Sequence, residues 1–201
     1  MSDFDWQNLS GVEEVQFKCG YCDREIAPNA GYHCRSGGGG IYICPNCGRP
    51  TFINHYLQEY VNGYQTPQAR LGNKIEGISD TGVEELYNEA RDCTTIGAYT
   101  AAVMICRKIL MNFAVAQKAK VGDNFASFVT YLADNGYIPP QGKPWVDQIR
   151  QRGNEANHEI ILMYEDDANL ILHFTEALLR INYEMPSFLA ADAAKKAKRA
   201  P

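Results

Sequence analysis

What the chain has little of narrows the field first. The opening residues, "MSDFDWQNLS", hold no apolar core, so a secretory leader is not expected. No apolar run is expected to approach the roughly 20 residues that a membrane-spanning helix needs. A cytoplasmic protein with no membrane partner is the expectation. Residues 1–60 are short of aliphatic side chains and of positive charge, with Lys18, Arg24, Arg35 and Arg49 set against seven acidic residues. That sign is wrong for nonspecific phosphate binding, which needs clustered Lys and Arg. The whole chain is acidic too, at net −5. Apolar content is not scarce overall: 45% hydrophobic and 21% charged residues exclude a disordered chain. A length of 201 residues allows one proper core and one small metal-stapled module besides.

Cysteine is present in an odd number, seven, and four of the seven form two Cys-x-x-Cys pairs. In a chain without a secretion signal this points to metal before disulfides. "CGYC" supplies Cys19 and Cys22, and "CPNCG" supplies Cys44 and Cys47. Two residues between thiolates let a tight turn aim both sulfurs at one ion, with amides around the turn, helped by Gly20 and Gly48, bonding the sulfurs. Between the pairs, "GYHCRSGGGGIYIC" reads as a strand, a flexible tip at Gly37 to Gly40 and a second strand, the layout of a zinc ribbon. Four thiolates suit Zn or Fe, and a ribbon makes structural Zn2+ the default. A module this poor in aliphatics depends on its ion to fold. His33 and Cys34 stand nearby and are left out of the site. Cys93 and Cys106 lie in helical patterns, where free Cys acts as a small hydrophobe. Tyr32, Tyr42, Phe52 and Tyr56 could stack on bases, but aromatics in a small ribbon are more often its miniature core. With four thiolates adding about two negative charges to an already acidic module, a protein partner is at least as well suited to it as nucleic acid.

The expected organisation is a ribbon over 1–58, a polar Gly-rich linker over 59–80, a helical bundle over 81–187 and a basic, Ala-rich tail over 188–201. Thr81 and Glu84 form a capping-box signature opening the first helix, and Gly97 ends it. "AYTAAVMICRKILMNFAVAQK" is apolar around most of its circumference, so it is expected as the central buried helix, with Met104 and Met111 in the core. A third helix in "NFASFVTYLADNG" takes Asp123 or Asn124 as its cap and stops at Gly136. Pro144 suits the first turn of the next helix. The last helix places Leu170, Phe174, Ala177, Leu178 and Ile181 on one stripe, with His173 read as a core histidine. The fold class is therefore mainly α, an antiparallel bundle preceded by a small β zinc ribbon.

Four motifs in order, "EARDCTTIGAYTAAVMICRKIL", "LADNGYIPP", "QIRQRGNEANHE" and "DDANLILHFTEALL", resemble the prokaryotic helical family catalogued as domain of unknown function four-one-four-five. That family looks like a branch of the HEPN (higher eukaryotes and prokaryotes nucleotide-binding) superfamily. The resemblance covers about residues 80–185 and implies a HEPN-like bundle, a homodimer through it, and association with phage defence or nucleic-acid processing. Many HEPN proteins are metal-independent ribonucleases marked by an Arg, four to six residues and a His. Arg152 and His158 match that spacing, which makes RNA a candidate partner. The resemblance implies that His158 would handle the proton of a ribose 2′-hydroxyl or leaving oxygen, while the Arg holds the phosphate.

On an ideal helix Arg152 and His158 lie about 9 Å apart along the axis and roughly 120° apart around it. Arg150, Asn154 and His158, at steps of four, share a face more closely. Arg152, Arg150, Asn154 and His158 are accordingly the candidate catalytic set, with either Arg as the cation. The alternative is architectural: Gly153 lets helices approach while Asn154 and His158 satisfy buried backbone groups. This chain also departs from the family pattern, carrying Met111 and Asn112 where relatives tend to place an acidic residue.

Overall fold

Alternation along short strands builds the N-terminal unit, which runs to Arg70; a helical unit begins at Leu71. The computed structural model describes residues 4–56, 64–142, 144–149 and 162–199. In the first unit, β1 (Ser10–Gly11), β4 (Ala30–His33), β5 (Gly39–Ile43), β6 (Pro50–Asn54) and β7 (Gln65–Thr66) form one antiparallel sheet in the order β1-β4-β5-β6-β7. A separate hairpin pairs β2 (Phe17–Lys18) with β3 (Glu25–Ile26). Successive strand residues point to opposite faces. Tyr42 therefore enters the core, edge-on to Phe17 at 6.0 Å between ring centroids, while Ile41 and its cross-strand partner Phe52 face outward. Gly31 lets β4 lie close against β5: a Cβ there would overlap the carbonyl oxygen of Ile41.

Of the four aromatics expected as a miniature core, Tyr42 alone is buried in it; Phe52 is 42% and Tyr56 75% exposed. The hydrophobic core cluster among the described residues is small: Val12, Phe17, Cys19, Ile26, Tyr42, Cys44 and Ile53. The expected linker over 59–80 is divided between the two units. Gln65–Thr66 pairs with β6 as a strand, and residues from Leu71 onward belong to the helical unit.

Among the described residues, the helical unit contains α1 (Thr81–Thr95), α2 (Tyr99–Ala116), α3 (Phe125–Asp134), α4 (144–149) and α5 (Glu165–Leu179). A π-helical turn, Arg180–Glu184, then leads directly into α6 (Met185–Arg199). α2 packs against α1, α3 and α5, because Ala102, Cys106, Ile109, Leu110 and Phe113 bury one broad face. By length and composition α2 could cross a bilayer, at mean hydropathy 1.3, which corrects the expectation that no run approaches that length. Its burial against three helices accounts for the same composition.

Several local expectations change. Asp80 caps α1, its carboxylate accepting from the amides of Gly82 (2.9 Å) and Val83 (3.3 Å); Thr81 is already the first helical residue. Asn124 caps α3 through Ser127 N at 2.9 Å. Met104 is 47% exposed, whereas Met111 is partly buried and packs against the core. His173 is half-exposed rather than core. The segment expected as a basic, Ala-rich tail is helical through Arg199, with residues 188–198 exposed.

Polar groups hold the arm at 71–78 on the bundle. Arg91, fully buried, donates from Nε to Leu71 O at 2.9 Å and from Nη2 to Gly72 O at 3.2 Å. Tyr87 Oη donates to Asn73 O at 3.0 Å, and Asn73 Nδ2 donates to Glu176 Oε1 at 3.1 Å. Glu184 Oε1 accepts from Glu76 N at 3.1 Å. Arg180 ties the two carboxylates, 3.0 Å from Glu176 and 3.5 Å from Glu184. Burial, and next the charge of Glu176, pushes the Tyr87 phenol well above its usual range.

Candidate metal centre

Two matching turns carry the four cysteines. After β2, Cys19 N donates to Arg24 O (2.9 Å) and Asp23 N to Cys19 O (3.0 Å). After β5, Cys44 N donates to Arg49 O (3.0 Å) and Gly48 N to Cys44 O (2.8 Å). Each turn needs a left-handed residue four positions after its first cysteine, and Asp23 (φ 60°) and Gly48 (φ 69°) fill those places. Gly20 has a further role in the first turn. It allows a close approach, since a Cβ at Gly20 would overlap Gln68 O and lie 2.8 Å from Pro67 O.

The turns bring all four sulfurs within 4.8 Å of one another. Cys19 Sγ lies 3.9 Å from Cys47 Sγ, and Cys22 Sγ 3.8 Å from Cys44 Sγ. A tetrahedral ion with metal–sulfur bonds of about 2.3 Å requires sulfur–sulfur edges of roughly 3.8 Å, so the donor set fits a zinc-sized ion. Cys19 and Cys44 are buried while Cys22 and Cys47 are partly exposed.

The ionisation of the thiols is uneven. Burial pushes Cys19 up to about 12, against the amides of Tyr21 and Cys22. Burial also opposes ionisation of Cys22, but the amide of Arg24, the Asn46 side chain and the neighbouring thiols outweigh it and bring the group down to about 7. Cys47 is raised, chiefly by burial. An anionic sulfur in this cluster is thus favoured by amides, as in metal–thiolate turns.

Support for the turns comes from places that sequence spacing does not reveal. Trp6 Nε1 donates to Gly48 O at 2.6 Å. The Arg49 guanidinium of the second turn lies over the Tyr21 ring of the first, 5.1 Å from its centroid. Gln65, buried, donates from Nε2 to Lys18 O (2.8 Å) and Pro67 O (2.9 Å), and Lys18 Nζ reaches Arg70 O at 3.3 Å. The stretch 64–70 therefore buttresses the first turn; a two-residue strand carries too little periodicity to betray this. His33 and Cys34 stand apart from the cluster. His33 Nε2 is 2.6 Å from Gly11 O, and Cys34 Sγ, exposed, is 3.1 Å from Ser36 Oγ. Among the described residues, the four cysteines are the group of potential ligands close enough to share an ion.

The other candidate residues, Arg150, Arg152, Asn154 and His158, lie outside the described residues. Ile149, the last described residue before them, is buried. Cys106 is buried, which pushes its thiol up to about 12, as suits a packed hydrophobe.

No curated protein and no solved structure gives a significant match to the chain. Residues 88–199, more than half of the sequence and all of it within the helical unit, match the family described as Domain of unknown function (DUF4145). The chain belongs to that family, joined here to an N-terminal antiparallel sheet that carries a four-cysteine cluster.

Proposed function

We propose that this protein is a zinc-ribbon adaptor: structural Zn2+ on Cys19, Cys22, Cys44 and Cys47 holds a small sheet whose outer face docks a protein partner. The observation that carries this is the convergence of four sulfurs, all within 4.8 Å of one another and with two edges of 3.8–3.9 Å, in a unit whose core cluster among the described residues holds only five buried side chains besides Cys19 and Cys44. Bound zinc supplies no chemistry beyond cross-linking the two turns. The chain's own residues do the rest. Cys19 and Cys44 sit in the core, so filling the site fixes β2 and β5, and β5 sets Ile41 beside Phe52 on the outer face. Ile41 is 39% exposed, and this apolar outer face in an acidic unit favours a protein partner over phosphate. The bundle belongs to a family of unknown function, and the ordered resemblance described above supports a HEPN-like role beside prokaryotic defence or nucleic-acid-processing machinery.

The test is zinc content by elemental analysis together with partner recovery from the native host. Wild type should hold one zinc per chain, Cys44→Ser should lose it, and Phe52→Asp should keep zinc but lose the partner. A wild-type protein that purifies without metal and keeps its sheet folded would overturn the reading.

The spacing of Arg152 and His158 supports a second reading, a metal-independent RNA endonuclease using His158 with Arg152 or Arg150. In excess EDTA, with zinc retention checked in the same sample, such an enzyme would leave 2′,3′-cyclic phosphate ends that His158→Ala abolishes. Equal inactivity of both proteins would refute it.

A further inference from the structure

α6 differs from the helices before it. Met185, Phe188 and Leu189 are 57%, 61% and 73% exposed. A 15-residue helix is marginal in water without tertiary packing, and three large apolar side chains within about one turn form a patch that packing would cover. One to two turns further on, the charge becomes positive. Lys195, Lys196 and Lys198 are exposed, opposed within the helix by Asp192, 2.8 Å from Lys196 Nζ.

The same unit carries a hollow with the matching pattern. An apolar cleft of about 250 Å³ is lined by Tyr137, Ile138, Trp145, Phe174 and Ile181, among others. A cavity of about 150 Å³ is enough to hold a benzene ring. Trp145, edge-on to Phe174 at 6.2 Å, remains 40% exposed. Ile138 and Pro139 are shared with an adjoining hollow that carries Asp134 and Asp147. The cleft is thus apolar with carboxylates beside it, while α6 is apolar with ammonium groups beyond. From Phe188 to Lys195 is about 10 Å along a helix. The chain's own Phe188 does not fill its own cleft, being mostly exposed on a helix that continues from α5 without a break.

We propose that α6 of one copy docks in this cleft of a second copy. Phe188 enters the apolar hollow, Lys195 and Lys198 approach Asp134 and Asp147, and the exchange is reciprocal, giving a closed two-fold dimer. The inference is independent of zinc and of any nuclease activity, because every residue it uses lies in the helical unit.

Sedimentation velocity on the full-length, zinc-loaded chain tests it. Wild type should run at twice 22.5 kDa at about 100 µM, a range in which even modest affinities register. Phe188→Asp, and separately Ala177→Phe, which fills the cleft, should each run as monomers with unchanged helical circular dichroism. An equimolar mixture of those two variants should recover dimer through the one intact dock. Lys195→Glu with Lys198→Glu should weaken the dimer by at least about tenfold, and adding Asp134→Lys with Asp147→Lys should restore it. A monomeric wild type overturns the proposal. So does a dimer that survives both Phe188→Asp and Ala177→Phe, or a charge reversal that the second reversal fails to rescue.

Discussion

Lowering the pH from 8 to 6 at constant free zinc should empty the four-cysteine centre far more steeply than the loss of one proton would. A metal-bound sulfur is a thiolate, so each ligand that is a thiol in the free protein must shed a proton on binding. Cys19, at about 12, and Cys47, held above its ordinary 9.0, are thiols throughout this window. Each contributes about a tenfold loss of affinity per unit fall in pH, equivalent to about 1.4 kcal/mol. Those two alone amount to a roughly 10⁴-fold loss between pH 8 and 6. Cys22, at about 7, is mostly thiolate at pH 8 and mostly thiol at pH 6, so it adds about a further tenfold, concentrated below pH 7. The sign is fixed: affinity rises with pH, and its dependence steepens as pH falls through 7. Competition with a chromophoric zinc chelator, corrected for the chelator's own titration, measures the slope, and titration calorimetry in buffers of differing ionisation enthalpy counts the protons directly. A slope below one proton across this range would refute thiolate ligation by Cys19 and Cys47.

Three smaller predictions concern the frame. Arg91→Ala removes the donors to Leu71 O and Gly72 O and empties the fully buried space that the side chain fills, so the helical unit should lose about 2–5 kcal/mol in urea unfolding; a loss under about 1 kcal/mol would mean the arm is not held this way. Gly31→Ala should disrupt the β4–β5 pair and lower zinc retention, whereas Gly11→Ala, whose new methyl would meet nothing within 4 Å, should leave retention unchanged; equal behaviour of the two would contradict the close approach at Gly31. Asp80→Ala should cost about 0.5–2 kcal/mol as a lost helix cap, and Thr81→Ala distinctly less, so the reverse order in thermal melts would return the cap to Thr81.

Much of the arrangement was legible in local pattern. The spacing of Cys19, Cys22, Cys44 and Cys47 follows from the chemistry of a tight turn around one ion, and the turns converge as that chemistry requires. The buried face of α2 is legible because a helix repeats every 3.6 residues, and Gly97 and Gly136, both at positive φ, end helices where they were read to do so. The motifs in the bundle were enough to reach the family.

Other features depend on residues that meet only after the chain has folded. Met104 and His173 are apolar-stripe positions by local count, but whether a stripe is covered depends on where neighbouring helices run. Phe52 and Tyr42 are equally aromatic; strand register, set by pairing between β5 and β6, sends one outward and the other into the core. Glu76 meets Glu184 across 108 residues, and Trp6 meets Gly48 across 42. By itself the sequence determined the thiolate turns, the helical faces and the family, because those are written in short-range spacing. Only the tertiary structure decided that residues 64–70 brace the first turn and that 71–78 are held on the bundle. Both stretches are fastened mainly through backbone carbonyls, which every residue type presents alike.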